Sequence, residues 1–140
     1  MSFHNPGPVC DGCETFLQEA HPRIARWFRE LKKEELMAHI SCAWRNAAEQ
    51  NKAKREGKSG LSWPNSRHNR LNPKTKKPES AALDIFVLDE DGIAQWPPRW
   101  FFKINQRNEA FREPLIWGGK FSKLGDANHF ELKPSELIAA

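Results

Sequence analysis

No apolar run in this chain approaches the length of a membrane span, and no apolar segment opens its N-terminus. A transmembrane segment is therefore not expected, nor an export signal of the usual kind. Cysteine is sparse: three thiols, an odd number, argue against a disulfide framework and for synthesis in a reducing compartment. No internal repeat is visible. What remains is 140 residues, 39% apolar and 29% charged, with six Trp and nine Phe to supply burial. That is enough for one domain with a real core.

The net charge of +4 hides an asymmetry. From Arg23 to Lys77 there are fifteen Lys or Arg against five Glu, and an acidic run follows at Asp89-Glu-Asp91. A basic face suits a polyanionic partner: nucleic acid, anionic lipid or a cell-wall polymer. Charge alone does not choose among them.

Residues 1–12 read as an irregular arm. Cys10-Asp-Gly-Cys13 looks like half of a zinc knuckle, with His4, His21 and Cys42 as the residues that could complete it. No second Cys-x-x-Cys follows, and reduced, non-catalytic thiols are the expected state. Phe16, Leu17, Ala20, Ile24, Trp27, Phe28 and Leu31 recur at helical spacing, interrupted at Pro22, which predicts a broken helix or two helices. Ala38 to Trp44 reads as a buried strand running into Arg45, then a polar helix from Asn46 to about Glu56 that carries Gln50 and ends at the Gly57–Gly60 segment.

Residues 57–80 form a long loop with Ser66-Arg-His68-Asn69 at its centre. Within it, residues 71–79 are a basic, proline-bearing insert, expected to be solvated and mobile. Ala81 to Leu88 is the best strand, and Asp84 is its anomaly, because a lone buried carboxylate costs several kcal/mol unless a cation compensates. A hairpin turn at Asp89–Gly92 leads to Ile93–Trp96. Arg99–Glu113 reads as an amphipathic helix with Trp100, Phe101, Ile104 and Phe111 inward and Pro114 as its stop. Trp63, Trp96 and Trp100 are expected as core or rim aromatics. Leu115 to Trp117 is a short strand before Gly118-Gly119, and residues 133–140 are a brief helix or tail.

The last stretch with chemistry in it is Asp126-Ala-Asn-His129-Phe-Glu131. His68, Asp84 and His129 stand out as potential metal ligands. Two imidazoles and one carboxylate, with water in the fourth position, make a typical catalytic zinc site. A carboxylate that is not a ligand, here Asp126, is placed to take a proton from that water and pass it to a leaving amine.

These blocks resemble the zinc D-alanyl-D-alanine carboxypeptidase and L-alanyl-D-glutamate peptidase family of peptidoglycan peptidases, which includes many phage endolysins. The matching blocks are Ser66-x-His68, Ser80-x-Ala82-x-Asp84, Trp117-Gly-Gly and Asp126-x-x-His129-Phe-Glu131, with Trp44-Arg45 and Gln50 upstream. The resemblance spans residues 38–132. It implies an α+β fold of the hedgehog-like metallopeptidase type, a small antiparallel sheet flanked by helices around one catalytic zinc. It implies His68, Asp84 and His129 as zinc ligands, Asp126 as general base, and Arg45 as the group that stabilises the substrate oxyanion. Supporting parts fall to Ser66, Glu131 and Trp117.

Two departures stand out. His68 and Asp84 are sixteen positions apart, a longer step than the family's, and the family glycine between them is absent. The extra residues fall in the 71–79 insert, which can bulge outward without moving either ligand or can line a substrate groove. Ala43 also replaces a glycine before the arginine.

The expectation is thus a single peptidase domain over residues 1–140, monomeric, hydrolysing a peptide bond of peptidoglycan stem peptides. The L-Ala-D-Glu bond is favoured over D-Ala-D-Ala carboxypeptidase activity by the Asp before the second histidine and by the compact, endolysin-like size. A phage or prophage lysis enzyme would be made in the cytoplasm without a signal peptide and reach the periplasmic cell wall after release. One rival is a non-catalytic cell-wall-binding or virion-assembly module. Another is a nucleic-acid-binding protein or nuclease, which leaves the Trp-Gly-Gly and Asp-x-x-His blocks unexplained; no nucleic-acid partner is expected.

Overall fold

The computed structural model describes residues 9–34, 37–120 and 127–138. Among these residues, five α-helices accompany one antiparallel sheet: α1 (Asp11–Leu17), α2 (Pro22–Lys33), α3 (Ala47–Arg55), α4 (Pro98–Ala110) and α5 (Pro134–Ile138). The strands are β1 (His39–Cys42), β2 (Ala82–Leu88), β3 (Ala94–Gln95), β4 (Ile116–Trp117) and β5 (His129–Glu131). They lie in the order β1-β2-β5-β4, with β3 also paired to β2. The architecture is α+β, as the sequence implied.

Helix α2 shows why the pattern folds this way. Ile24, Trp27, Phe28 and Leu31 share one helical face, and all are buried in the core. Each such side chain contributes roughly 1.5–3 kcal/mol relative to an exposed position. His21 caps the start, its Nδ1 accepting from Arg23 N–H at 3.0 Å, and Pro22 occupies the first turn, where its missing N–H costs nothing. The break predicted at Pro22 is therefore a helix start. Arg23 ties α2 to α5 through Glu136, with Nε to Oε2 at 2.7 Å. Among the described residues no helix is long and apolar enough to cross a membrane.

Three sequence expectations are corrected. The arm drawn over residues 1–12 is too long, since α1 begins at Asp11 with Cys10 as its cap. Helix α4 stops at Ala110, three residues short of Glu113, because Asn108 takes hold of the returning chain. Its Oδ1 accepts from Leu115 N–H at 2.8 Å and its Nδ2 donates to Leu115 O at 2.9 Å. Phe111 thus sits beyond the helix, half-buried and edge-on to Trp27. The 71–79 insert, read as a plain loop, closes into a turn. Leu71 bridges Pro78, Asn72 N–H donates to Lys77 O at 2.9 Å, and Arg70 pairs with Glu79 at the base.

The strand register sets up the site. In β2, Leu83, Ile85 and Val87 point into the core, and Asp84 lies on the opposite face. Cys42 of β1 and His129 of β5 are the cross-strand partners of Asp84. The β1 pairing slips between Ile40 and Cys42, so Ser41 is an extra, bulged residue.

Candidate active site

Strand β5 puts His129 opposite Asp84, and a 3-10 turn at Arg67–Asn69 brings His68 in from the loop. That turn is built by its own cap. Ser66 Oγ accepts from His68 N–H at 3.2 Å, and Asn69 Oδ1 accepts from Ser66 N–H at 3.0 Å. Ser66 thereby positions His68. The turn is tied inward by Asn69, whose Nδ2 donates to Arg45 O at 3.2 Å and to Gln50 Oε1 at 3.1 Å.

The two imidazoles meet the same carboxylate oxygen. His68 Nε2 lies 3.3 Å and His129 Nδ1 2.9 Å from Asp84 Oδ1. Each ring has its outer nitrogen engaged. His68 Nδ1 donates to Ala43 O at 2.6 Å, and His129 Nε2 lies 2.9 Å from Glu131 Oε1. With protons held on those outer nitrogens, both lone pairs turn towards Asp84. Glu131 is itself held by Arg67, Nε to Oε2 at 3.3 Å.

Charge in the cluster is strongly coupled. Burial alone would raise the Asp84 carboxyl, but attraction to His68 and hydrogen bonding with His129 hold it far below the ordinary carboxylate range. Burial opposes charge on the histidines too, yet Asp84 lifts His68 well above its ordinary value and, with Glu131, lifts His129 to about 9. A metal ion on the inner nitrogens would compete with the protons that Asp84 favours there.

The donor set fits a zinc-class ion. His68 Nε2 is buried and approaches Asp84 without hydrogen-bond alignment, so it has no hydrogen-bond partner. Bonds of 2.0–2.1 Å in a tetrahedron separate neighbouring donors by about 3.3 Å, close to the spacing seen here. Cys42 is a further donor near His68 and Asp84. Its sulfur lies 3.6 Å from His68 Nδ1, the nitrogen that already serves Ala43 O. His68 and Asp84 thus have two neighbours that could serve as a third donor, Cys42 and His129.

Arg45 stands beside the cluster. Its Nη2 donates to Asp84 Oδ2 at 3.4 Å and its Nη1 to Gln50 Oε1 at 3.3 Å. Gln50, fully buried, also donates to Ser59 Oγ and Leu61 O, which holds the arginine's support to the loop. Trp117 folds its indole over Gly119, where an added Cβ would come within 2.3 Å of the ring, and donates Nε1–H to Ala127 O at 2.7 Å. The second glycine after Trp117 is thus needed for close approach. Asp126 lies outside the described residues. Asn69 is the positioning residue that sequence reasoning passed over; its signal was the capping pattern Ser66-x-x-Asn69.

A separate cleft of about 380 Å³ between α2 and the turn after α4 is lined by charged pairs such as Arg23 and Glu113. It shares no residue with this cluster.

No protein-family model matches the chain, and no curated protein sequence matches it. Among solved structures it is similar to the L-Ala D-Glu endopeptidase ChiX of Serratia marcescens, with a TM-score of 0.70 and 22% identity over 90% of each chain. At that identity the likeness is one of fold, and it extends across nearly the whole of both chains.

Proposed function

We propose that the protein is a zinc-dependent peptidase that hydrolyses the L-Ala-D-Glu bond of peptidoglycan stem peptides, in the manner of an endolysin. The observation that carries this reading is the convergence of His68 Nε2 and His129 Nδ1 on Asp84 Oδ1, with both outer ring nitrogens occupied. The choice of bond draws on the fold shared with an L-Ala D-Glu endopeptidase.

In this reading His68, Asp84 and His129 hold the metal. When bound, zinc supplies Lewis acidity to the scissile carbonyl and makes water a better nucleophile at neutral pH. The remaining work falls to the chain. Glu131 and the Ala43 carbonyl fix the histidine tautomers, so both rings present lone pairs on the same side. Arg45, braced by Gln50, offers a guanidinium to the carbonyl oxygen as negative charge develops on it. Asp126 takes the proton from water and returns it to the leaving amine of D-Glu. The basic segment from Arg23 to Lys77 draws the protein to an anionic envelope.

The test is digestion of purified murein by the zinc-loaded protein, with mass spectrometry of the released fragments. New amino groups on D-Glu are expected. Release of terminal D-Ala alone would assign the carboxypeptidase activity instead, and no release would leave a binding module. An Asp126→Asn variant should keep its zinc and lose hydrolysis; full activity would remove the base assignment.

A further inference from the structure

We propose that Cys10, Cys13 and His39 form a second, thiolate-rich metal site of the zinc class, separate from the candidate active site. Their ligand atoms cluster together: His39 Nδ1 lies 3.7 Å from Cys10 Sγ and 3.9 Å from Cys13 Sγ. The two cysteines come from the start of α1 and the histidine from the start of β1, so the set unites residues separated by 26 to 29 positions. The residues nominated from sequence to complete the pair go elsewhere. His21 caps α2, Cys42 lies beside His68, and His4 falls outside the described residues.

Three features point to a metal rather than to idle thiols. Both sulfurs accept backbone N–H groups, Cys10 from Cys13 at 3.4 Å and Cys13 from Ile40 at 3.3 Å. Such bonds favour sulfur in its anionic, ligating form. The buried Lys32 is close enough to interact with both thiols, and its positive charge complements two thiolates. His39 supplies the third feature. Its ring packs on Phe86, and its Nε2 is buried without a hydrogen-bond partner. Its Nδ1 faces the two sulfurs across contacts too long for good hydrogen bonds from weak S–H donors, a spacing that an ion held between them accounts for.

A redox role for the Cys-x-x-Cys pair fits less well. Cys13 is 4% exposed, which leaves little access for a thiol-exchange partner. Two sulfurs and one imidazole suit zinc, with no electron transfer required. Each coordinated thiol gives up its proton to solvent as the S–metal bond forms. The fourth donor of a tetrahedral ion is not among the described residues. Bound there, the ion would fasten α1 to the edge strand β1.

The experiment uses cobalt(II) as the probe on the full chain after chelation. The expected result is a thiolate-to-cobalt charge-transfer band in the near ultraviolet. The band persists in Cys42→Ser and in His68→Ala, and is lost in Cys10→Ser/Cys13→Ser. Absence of the band from the wild-type protein, or its loss in Cys42→Ser alone, overturns the proposal. If the double cysteine variant does not fold, X-ray absorption of the zinc-loaded Cys42→Ser protein decides: sulfur at about 2.3 Å supports the site, and a shell of only nitrogen and oxygen overturns it. A Cys10–Cys13 disulfide in protein purified under reducing conditions also overturns it. Because His68→Ala removes the other centre, failure of this site and failure of the proposed peptidase activity are read separately.

Discussion

Asn108→Ala should cost this protein about 3 kcal/mol of stability. The side chain is 1% exposed and makes four hydrogen bonds. Its Oδ1 accepts from Trp27 Nε1 and Leu115 N–H, each at 2.8 Å, while Nδ2 donates to Leu115 O at 2.9 Å and Asn105 Oδ1 at 3.0 Å. Truncation strands the indole N–H of Trp27 and both backbone groups of Leu115. Each stranded buried group costs roughly 1–3 kcal/mol. Against this, alanine improves helix propensity by about 0.5 kcal/mol, and water admitted to the vacated space restores part of the bonding. The balance corresponds to a fall in melting temperature on the order of 10 °C for a chain of this size. Calorimetry and urea unfolding would measure it. Asn108→Asp keeps the acceptors but sets an anionic oxygen against Leu115 O, so it should destabilise as well. An alanine variant within about 0.5 kcal/mol of wild type would refute the clamp, since that is the range of neutral surface substitutions.

Three further outcomes are expected. Gly119→Ala should displace the Trp117 indole and destabilise by roughly 1–3 kcal/mol, as overpacking does; an unshifted Trp117 indole N–H resonance would contradict the close approach. Shortening the turn between Asn72 and Lys77 while keeping the Arg70–Glu79 base should leave zinc affinity unchanged; a tenfold loss, about 1.4 kcal/mol, would show that the turn supports the ligands. In metal-free protein, burial lowers the His129 pKa but the hydrogen bonds it donates to Asp84 and Glu131 outweigh it, giving about 9. A folded value above the unfolded one, about 6.5, means stabilisation that is complete below that pH and lost as pH rises through 9. The urea midpoint in chelator should therefore fall between pH 7 and pH 10, and a flat profile would count against the charged cluster.

What the sequence made legible was whatever depends on local spacing. Helix α2 follows from its apolar period and from Pro22, and α3 from its polar run ended at Gly57, which the structure starts with a capping box in which Asn46 Oδ1 accepts from Glu49 N–H at 2.9 Å. The nomination of His68, Asp84 and His129 rested on motif blocks, and the structure brings these three side chains together. The long step between the first two closes on itself at Arg70 and Glu79, so chain length there says little about distance. What was hidden depends on pairing between distant segments. Nothing local to Cys10-x-x-Cys13 points to His39, because the contact exists only once α1 packs on β1. Asn108 looks like an ordinary polar helix residue until Trp27 and Leu115 arrive from either side. What offsets the burial of Asp84 was hidden too, because His68 and His129 reach it from a loop and from another strand.

The extra residue in β1 has a consequence for how such chains should be compared. A regular strand assigns faces by parity, odd positions to one side and even positions to the other. By inserting Ser41, β1 switches parity midway, so His39 pairs across from Phe86 while Cys42, rather than Ser41, pairs across from Asp84. A protein of the same fold with an unbroken strand would carry the side chain facing its aspartate one position earlier. Gap-free alignment through this strand would then match residues that occupy opposite sides of the sheet. Correspondence here is better judged by which residue sits across from Asp84 than by counting along the chain.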